Sequence, residues 1–79
     1  MHRYFFDMYD GHEVVPDEEG VEFASLDAVQ DEAAHALADL ARDEVQAART
    51  GPCDLAVAVR DGDGPVLLAK FSFVIQRLH

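Results

Sequence analysis

Residues 25–49 read SLDAVQDEAAHALADLARDEVQAAR, and this stretch decides the fold of the chain. From Leu26 to Arg49 it contains no glycine and no proline and is rich in alanine, so it predicts one long helix. Ser25 is a favourable N-cap, and Asp27 places negative charge in the first turn, where the helix dipole favours it. Apolar residues recur at helical spacing along one side, which predicts a buried stripe. They are Leu26, Val29, Ala33, Leu37, Leu40, Ala41, Val45 and Ala48.

Two strands are predicted before this helix. Residues 3–9, RYFFDMY, are rich in aromatic side chains, which suit a pleated surface. Asp10-Gly11 follows at once and is a strong signal for a tight turn. The return strand should begin near His12, and Pro16 should keep it short and at an edge of the sheet, because proline cannot donate to a ladder. An acidic turn over residues 17–20 then leads towards the helix.

Two more strands are predicted after the helix, which Gly51-Pro52 should stop. Large apolar residues alternate with smaller ones over residues 55–60, DGDG at 61–64 indicates a hairpin loop, and residues 65–75 alternate again. The order ββαββ predicts an α+β fold, an antiparallel sheet with one long helix packed on one face. At 79 residues, the chain should form a single domain over residues 1–79.

A single helix covers one face of a sheet, and here the other face should also be apolar. Its candidate interface residues are Phe5, Tyr9, Ala56, Ala58, Leu68 and Lys70, with Val66 and Val74 on the same side. A 24-residue helix would extend about 36 Å, whereas strands of six or seven residues reach about 20–23 Å. Both features predict a homodimer formed through the open face, the helix end, or both. The alternative is a monomer in which residues 74–78 fold back over that face.

The charge balance restricts the classes of partner. Six basic and sixteen acidic residues give a net charge of −10, which argues against nucleic acid and fits a basic protein partner better. No apolar run approaches the ~20 residues of a membrane helix, and no secretory signal opens the chain. Cys53 is the single cysteine, so an internal disulfide is impossible and a zinc site built from it alone is not expected. These features predict a cytoplasmic protein.

Residues with reactive side chains do not form a recognisable catalytic or metal-binding pattern. The carboxylates of Asp7, Asp10 and residues 17–19 are expected in open turns, where no cleft shifts a pKa for acid–base work. The four histidines lack ligand spacing, and DGDG at 61–64 lacks the later ligands of a calcium loop. We therefore expect no enzymatic activity, no cofactor, no metal and no small-molecule ligand.

Taken together, several short motifs resemble a bacterial family of short proteins of unknown function. Members of that family begin R-Y-F-F-[DHN], matched here by residues 3–7, and continue with D-G, matched by Asp10-Gly11. D-x-E-G at residues 17–20 follows, and Glu32-Ala33 fits an E-A pair in an alanine-rich helix. Asp61-Gly62 and residues 66–71 fit the family's last hairpin. The resemblance covers nearly the whole chain and implies no activity, cofactor or catalytic residue.

A second stretch is similar to HicB-type antitoxins, which pair a curved sheet with one helix. Residues 25–29, SLDAV, through Ala36-Leu37 look like the strand-to-helix junction of those proteins. The proline-glycine-cysteine segment that precedes their junction is absent here, and the three strands expected before the helix are predicted as two. This resemblance implies an acidic, antitoxin-like neutraliser of a basic protein as the alternative function.

Overall fold

The predicted helix forms and is capped as its sequence indicates. In a computed structural model, which describes residues 1–11, 13–47 and 51–79, α1 spans Leu26–Gln46. The Ser25 hydroxyl accepts a hydrogen bond from the Ala28 backbone N–H at 3.1 Å, as an N-cap should. The expected end of the helix at Ala48-Arg49 and the expected strand start at His12 lie outside the described residues.

The described residues form an antiparallel sheet beneath α1, which confirms the α+β class. Its strands are β1 (His2–Tyr9), β2 (Val14–Val15), β3 (Val21–Phe23), β4 (Gly51–Asp61) and β5 (Gly64–Ile75). The expectation of four strands is wrong by one, because residues 21–23 pair with β1 as β3 rather than only connecting to the helix. Within the described part of the chain, three strands therefore precede α1 where two were expected.

The sheet order is β2-β1-β4-β5, and β3 pairs with the other end of β1. Met8 pairs with Val15, and Tyr4 pairs with Val21, so β2 and β3 follow one after the other along β1. Five residues lie between Val15 and Val21 on the returning segment, but three lie between Tyr4 and Met8 on β1. The two additional residues are accommodated in the acidic loop 16–20, which bulges away from the strand.

β4 is much longer than the predicted residues 55–60, and β5 matches the predicted residues 65–75 within one residue. β4 has 11 residues and β5 has 12, which is about 40 Å of strand at ~3.4 Å per residue. The expectation that the helix overshoots its sheet is therefore wrong. β5 pairs with β4 along residues 51–61, whereas β1 pairs with residues 56–60, so among the described strands residues 51–55 pair with β5 alone. Pro52 fits within β4 because a strand with one neighbour has a free edge for the missing N–H. The result is an elongated molecule, 53 × 21 × 16 Å.

The core lies between α1 and the middle of the sheet. Alternation along β4 points Leu55, Val57 and Val59 at the helix, and all three are fully buried. From the helix, Val29 and Ala33 pack in one cluster with Val57 and Val59. The predicted stripe is correct in its centre, but its two ends are exposed: Leu26 is 52% and Val45 46% exposed.

Two assignments near the sheet end need correction. Val66, expected on the helix-free face, packs against the core, because a bulge pairs Val59 with Leu67 and Arg60 with Pro65 and leaves Val66 as an additional residue. The alternative in which residues 74–78 fold back over the sheet is wrong: Val74 belongs to β5, and Leu78 is exposed.

Candidate interaction surface

Five of the six predicted interface residues line one shallow groove on the helix-free face, which we call the sheet groove. Tyr9, Ala56, Ala58, Leu68 and Lys70 come from three adjacent strands and enclose about 390 Å³. The surface they form is mainly apolar. The groove therefore has the composition that an interaction surface requires, although Phe5 is not part of it.

Strand register explains the shape of the sheet groove. Tyr9 pairs with Ala56, which pairs with Lys70, so a small residue lies between two large ones. In the next row of the same face, Ala58 lies beside Leu68. The alanines of β4 thus form a low floor along the middle strand, and the side chains of β1 and β5 form its walls.

The turn after β1 closes one end of the sheet groove. Asp10 Oδ1 accepts the Glu13 backbone N–H at 2.9 Å, and the Asp10 N–H donates to the Glu13 carbonyl at 3.2 Å. Gly11 has a φ of +93°, a backbone conformation that glycine adopts without strain, as the Asp10-Gly11 pattern predicted. Glu13 and Asp54 contribute carboxylates beside the apolar floor.

Phe5 lies in a second feature of the helix-free face, a polar cluster formed by Asp7, Asp17 and Arg60 that we call the loop clamp. The Arg60 guanidinium stands over the Phe5 ring, 4.5 Å from its centroid. Arg60 Nε donates to Asp7 Oδ2 at 3.0 Å, and a terminal nitrogen of the same guanidinium donates to the Asp17 carbonyl at 2.8 Å. The guanidinium thereby links β1, β4 and the acidic loop.

Asp17 holds the acidic loop to the strand through its own carboxylate. Oδ2 accepts the Phe6 backbone N–H at 3.2 Å, and Oδ1 accepts those of Gly20 at 3.1 Å and Glu19 at 3.2 Å. The pKa of Asp17 lies below its usual value, mainly because its carboxylate accepts the Gly20 N–H and then the Phe6 N–H. The Glu19 N–H and the charge of Arg60 also lower this pKa, and burial raises it by less than these effects lower it together. The carboxylate is thus ionised and fully engaged.

Two further contacts anchor the same loop. The Arg3 guanidinium donates to the carbonyls of Glu19 at 2.7 Å and Gly20 at 3.3 Å. Gly20 has a φ of +73°, and a Cβ there would come within 2.9 Å of atoms of Arg3, Tyr4 and Phe5. The motif residues at the start of the chain therefore pack against the D-x-E-G residues.

Sequence reasoning missed the loop clamp. It placed Asp7 and Asp17 in solvated turns, yet Asp7 is buried, at 9% exposure, and its Oδ1 accepts the Asp17 N–H at 2.9 Å. One signal was available: a carboxylate three residues before a glycine is typical of a side chain that bonds backbone N–H groups ahead of it. The contribution of Arg60, 43 residues further along, had no local signal.

The other groups considered for chemistry lie apart. His35 Nδ1 is 2.9 Å from the Asp31 carbonyl on the helix surface, and Cys53 Sγ is 3.9 Å from Glu44 Oε2. Among residues 1–11, 13–47 and 51–79, no three His, Cys, Asp or Glu side chains are grouped as metal ligands. Within those same ranges, no helix is long and apolar enough to span a membrane.

Fold and surface define a small acidic α+β protein with an open sheet face and a clamped acidic loop. The chain belongs to a family described as a domain of unknown function, DUF6894, which matches residues 3–72. The matched range contains the sheet groove and the loop clamp. Searches of curated proteins and of solved structures found no match.

Proposed function

We propose that this chain is a homodimeric protein-interaction module with no catalytic activity of its own. The observation that supports the interaction role is the sheet groove, an open apolar surface assembled from three strands. The absence of catalysis is supported by the loop clamp, in which backbone N–H groups and Arg60 already occupy the oxygens of Asp7 and Asp17. Carboxylates so engaged are poor candidates for acid–base work.

The occupant we propose for the sheet groove is a segment of a second, basic protein with apolar side chains. Ala56 and Ala58 leave room for apolar side chains above β4. Glu13 and Asp54 add two carboxylates against the single ammonium of Lys70, and the chain as a whole carries −10. Complementary charge would speed association and orient the basic partner.

Site-specific photocrosslinking tests the sheet groove. A photoreactive residue at position 9, in the wall of the groove, should form an adduct with one basic protein in native cells, and the same residue at exposed position 76 should not. Ala58→Glu, in the groove floor, should abolish the adduct. The two purified proteins should then bind each other, with affinity that falls as salt rises. A position-9 adduct that survives Ala58→Glu would contradict a groove-bound partner.

The homodimer has a separate test. Sedimentation at about 10 μM should show one species of twice the chain mass, because standard interfaces of about 800 Å² per partner reach affinities below this concentration. A single species of the chain mass would contradict the dimer and leave the groove experiment unaffected.

The alternative function, an antitoxin-like neutraliser of a basic protein, has one observation in its favour. Within the described residues, three strands precede α1, as the resemblance to HicB-type antitoxins implied. This support is an analogy of fold and not of a site. Co-expression with a basic protein encoded beside this chain tests it: the toxicity of that protein should disappear, and persistence of toxicity would reject the role.

A further inference from the structure

β5 presents a long free edge. Its partner strand among the described residues is β4, so its other edge is bare along 12 residues. Residues 65–75 read PVLLAKFSFVI, with Lys70 as their single charge. A long, apolar and nearly uncharged edge is a template for pairing with another strand, and proteins usually protect such edges. This edge therefore needs an occupant.

The flank of α1 beside that edge is also apolar and uncovered. Ala34, Ala38, Ala41 and Val45 recur at spacings of four, three and four residues, which places them in one line along the helix. Together with Leu37, Ala69 and Phe71 they line a furrow between the helix and β5, which we call the edge furrow. Two charged residues, Arg42 and Lys70, also line it. Ala34, Ala38 and Val45 are exposed, and Phe71 is 38% exposed.

The position of the helix relative to the edge suits a second copy of the chain. α1 packs over both β4 and β5, and its alanine flank lines the furrow beside the β5 edge. Two copies of β5 paired edge to edge would stand about 4.8 Å apart. Their helices would then lie on the same face of the joined sheet, and their alanine flanks would approach each other across the new strand pair. Small alanine side chains permit that approach.

A two-fold register also matches the side chains of β5. If Phe71 pairs antiparallel with its own copy, Lys70 lies opposite Ser72, so the two lysines are diagonal neighbours and not directly opposite each other. Leu68 then lies opposite Val74, and both are 58% exposed in the single chain. Each would cover the other across the new strand pair. In the edge furrow, Arg42 already pairs with Asp39 at 2.7 Å, so it brings little net charge to the contact.

From these observations we infer that the homodimer forms by antiparallel pairing of the two β5 edges, with the alanine flanks of the two α1 helices packed against each other. This inference rests on the proposed homodimer and specifies its surface. It joins two sheets into one continuous sheet with both helices on one side. Most of the sheet groove stays open on the opposite face for another partner.

Matched charge insertions test this arrangement. Ala38→Glu puts a carboxylate near the two-fold axis in each copy, and glutamate is a good helix former, so the fold should persist. Sedimentation equilibrium should show a dissociation constant raised at least 100-fold. Gln46→Glu adds the same charge on another side of the helix and should change it less than 3-fold. Tyr9→Glu changes a groove residue on β1, which β4 separates from β5, and it should also leave the dissociation constant nearly unchanged.

Hydrogen exchange provides a second readout that does not depend on a variant. Backbone amides of residues 67–75 should exchange more slowly at concentrations where the dimer forms than after dilution, whereas those of β1 should not change. Circular dichroism of Ala38→Glu should retain the helix signal. If the variant loses that signal, the exchange experiment on the unmodified chain tests the edge pairing.

The outcomes separate the surface from the dimer itself. If Ala38→Glu stays dimeric, or if β5 amides are unaffected by dilution, the edge pairing is wrong and the dimer stands. If Tyr9→Glu dissociates the dimer and Ala38→Glu does not, the sheet groove is the dimer surface. If the unmodified chain is a monomer, the inference and the proposed homodimer are both wrong.

Discussion

At the edge of β1, the Asp17 side chain accepts a backbone hydrogen bond that a neighbouring strand would normally accept. Its carboxylate accepts the Phe6 N–H, which faces the place where the returning segment bulges away. Two more N–H groups, from Glu19 and Gly20, close the loop around the same side chain. One short acidic residue therefore satisfies three backbone donors that the loop would otherwise leave without partners.

The lowered pKa of Asp17 makes loop stability depend on pH. Because its folded-state pKa lies below the ordinary 3.8, its stabilisation is complete above that value and is lost as the pH falls through the folded-state pKa. Asp17→Asn should reduce the free energy of unfolding by roughly 1 kcal/mol at pH 7, since this site is partly exposed. Urea unfolding at pH 7 and pH 2.5 should show a smaller acid loss in the variant than in the unmodified chain. An equal loss of stability in the variant and in the unmodified chain would show that other carboxylates control the acid sensitivity.

Gly20 is required by both conformation and space. Gly20→Ala places a Cβ 2.9 Å from the Tyr4 carbonyl oxygen at a φ of +73°, so we expect a loss of about 2–3 kcal/mol in unfolding free energy. Gly62→Ala is the control, because a Cβ there meets nothing within 4 Å and its φ is not positive. It should change stability by less than about 0.5 kcal/mol. Comparable losses from the two variants in chemical denaturation would contradict the steric role of Gly20.

Arg60 depends on the shape of its guanidinium as well as on its charge. Arg60→Lys keeps the charge, but an ammonium cannot bond to Asp7 and to the Asp17 carbonyl while it lies over Phe5. The midpoint temperature of thermal unfolding should therefore fall by several degrees. Arg42→Lys alters an exposed pair with Asp39 on the helix and should change the midpoint by about 1 °C or less. If the two substitutions have equal effects, the loop clamp contributes no more than a surface ion pair.

At the scale of elements, β4 builds both the core and the sheet groove. Its Leu55, Val57 and Val59 point at α1, while Ala56 and Ala58 form the floor of the opposite face. Alternation along one strand thus separates stability from recognition. Substitutions of the alanines can alter binding without opening the core.

The middle of α1 should contribute far more to stability than its ends. Val29→Ala removes two methyl groups from a fully buried site and should lower the unfolding free energy by about 2 kcal/mol. Leu26→Ala removes a larger group from a site that is 52% exposed and should cost less than about 1 kcal/mol. Urea denaturation of both variants measures this difference. A larger loss at Leu26 would mean that the first turn is packed more tightly than the structure indicates.

At the scale of the whole molecule, the charge of −10 opposes self-association. Two copies repel each other through solvent, and salt screens that repulsion. The homodimer should therefore tighten several-fold as sodium chloride rises from 50 to 500 mM, measured by sedimentation equilibrium. The complex with a basic partner should weaken over the same range. A homodimer that weakens with salt would indicate ion pairs between copies as its main source of affinity.

The sequence by itself determined the local features of this protein. The cap at Ser25, the turn at Asp10-Gly11 and the alternation of β4 each depend on neighbouring residues, so periodicity and turn chemistry predicted them. Alternation also predicted which residues share the helix-free face, and five of the six interface candidates do line one groove. Period-two alternation assigns a face without any knowledge of strand order.

The tertiary structure decided what depends on residues far apart in the chain. Asp7 and Arg60 are 53 residues apart, and their pairing exists because β1 and β4 are neighbours in the sheet. Because β1 lies beside β4, Phe5 lies beneath the Arg60 guanidinium and outside the sheet groove. The length of β4 also depends on its neighbours. The strand continues through Pro52 because, at that residue, β4 pairs with β5 and not with β1, so the missing N–H falls on a free edge. No local pattern carries that information, because strand order follows from how the whole chain buries its apolar surface around α1.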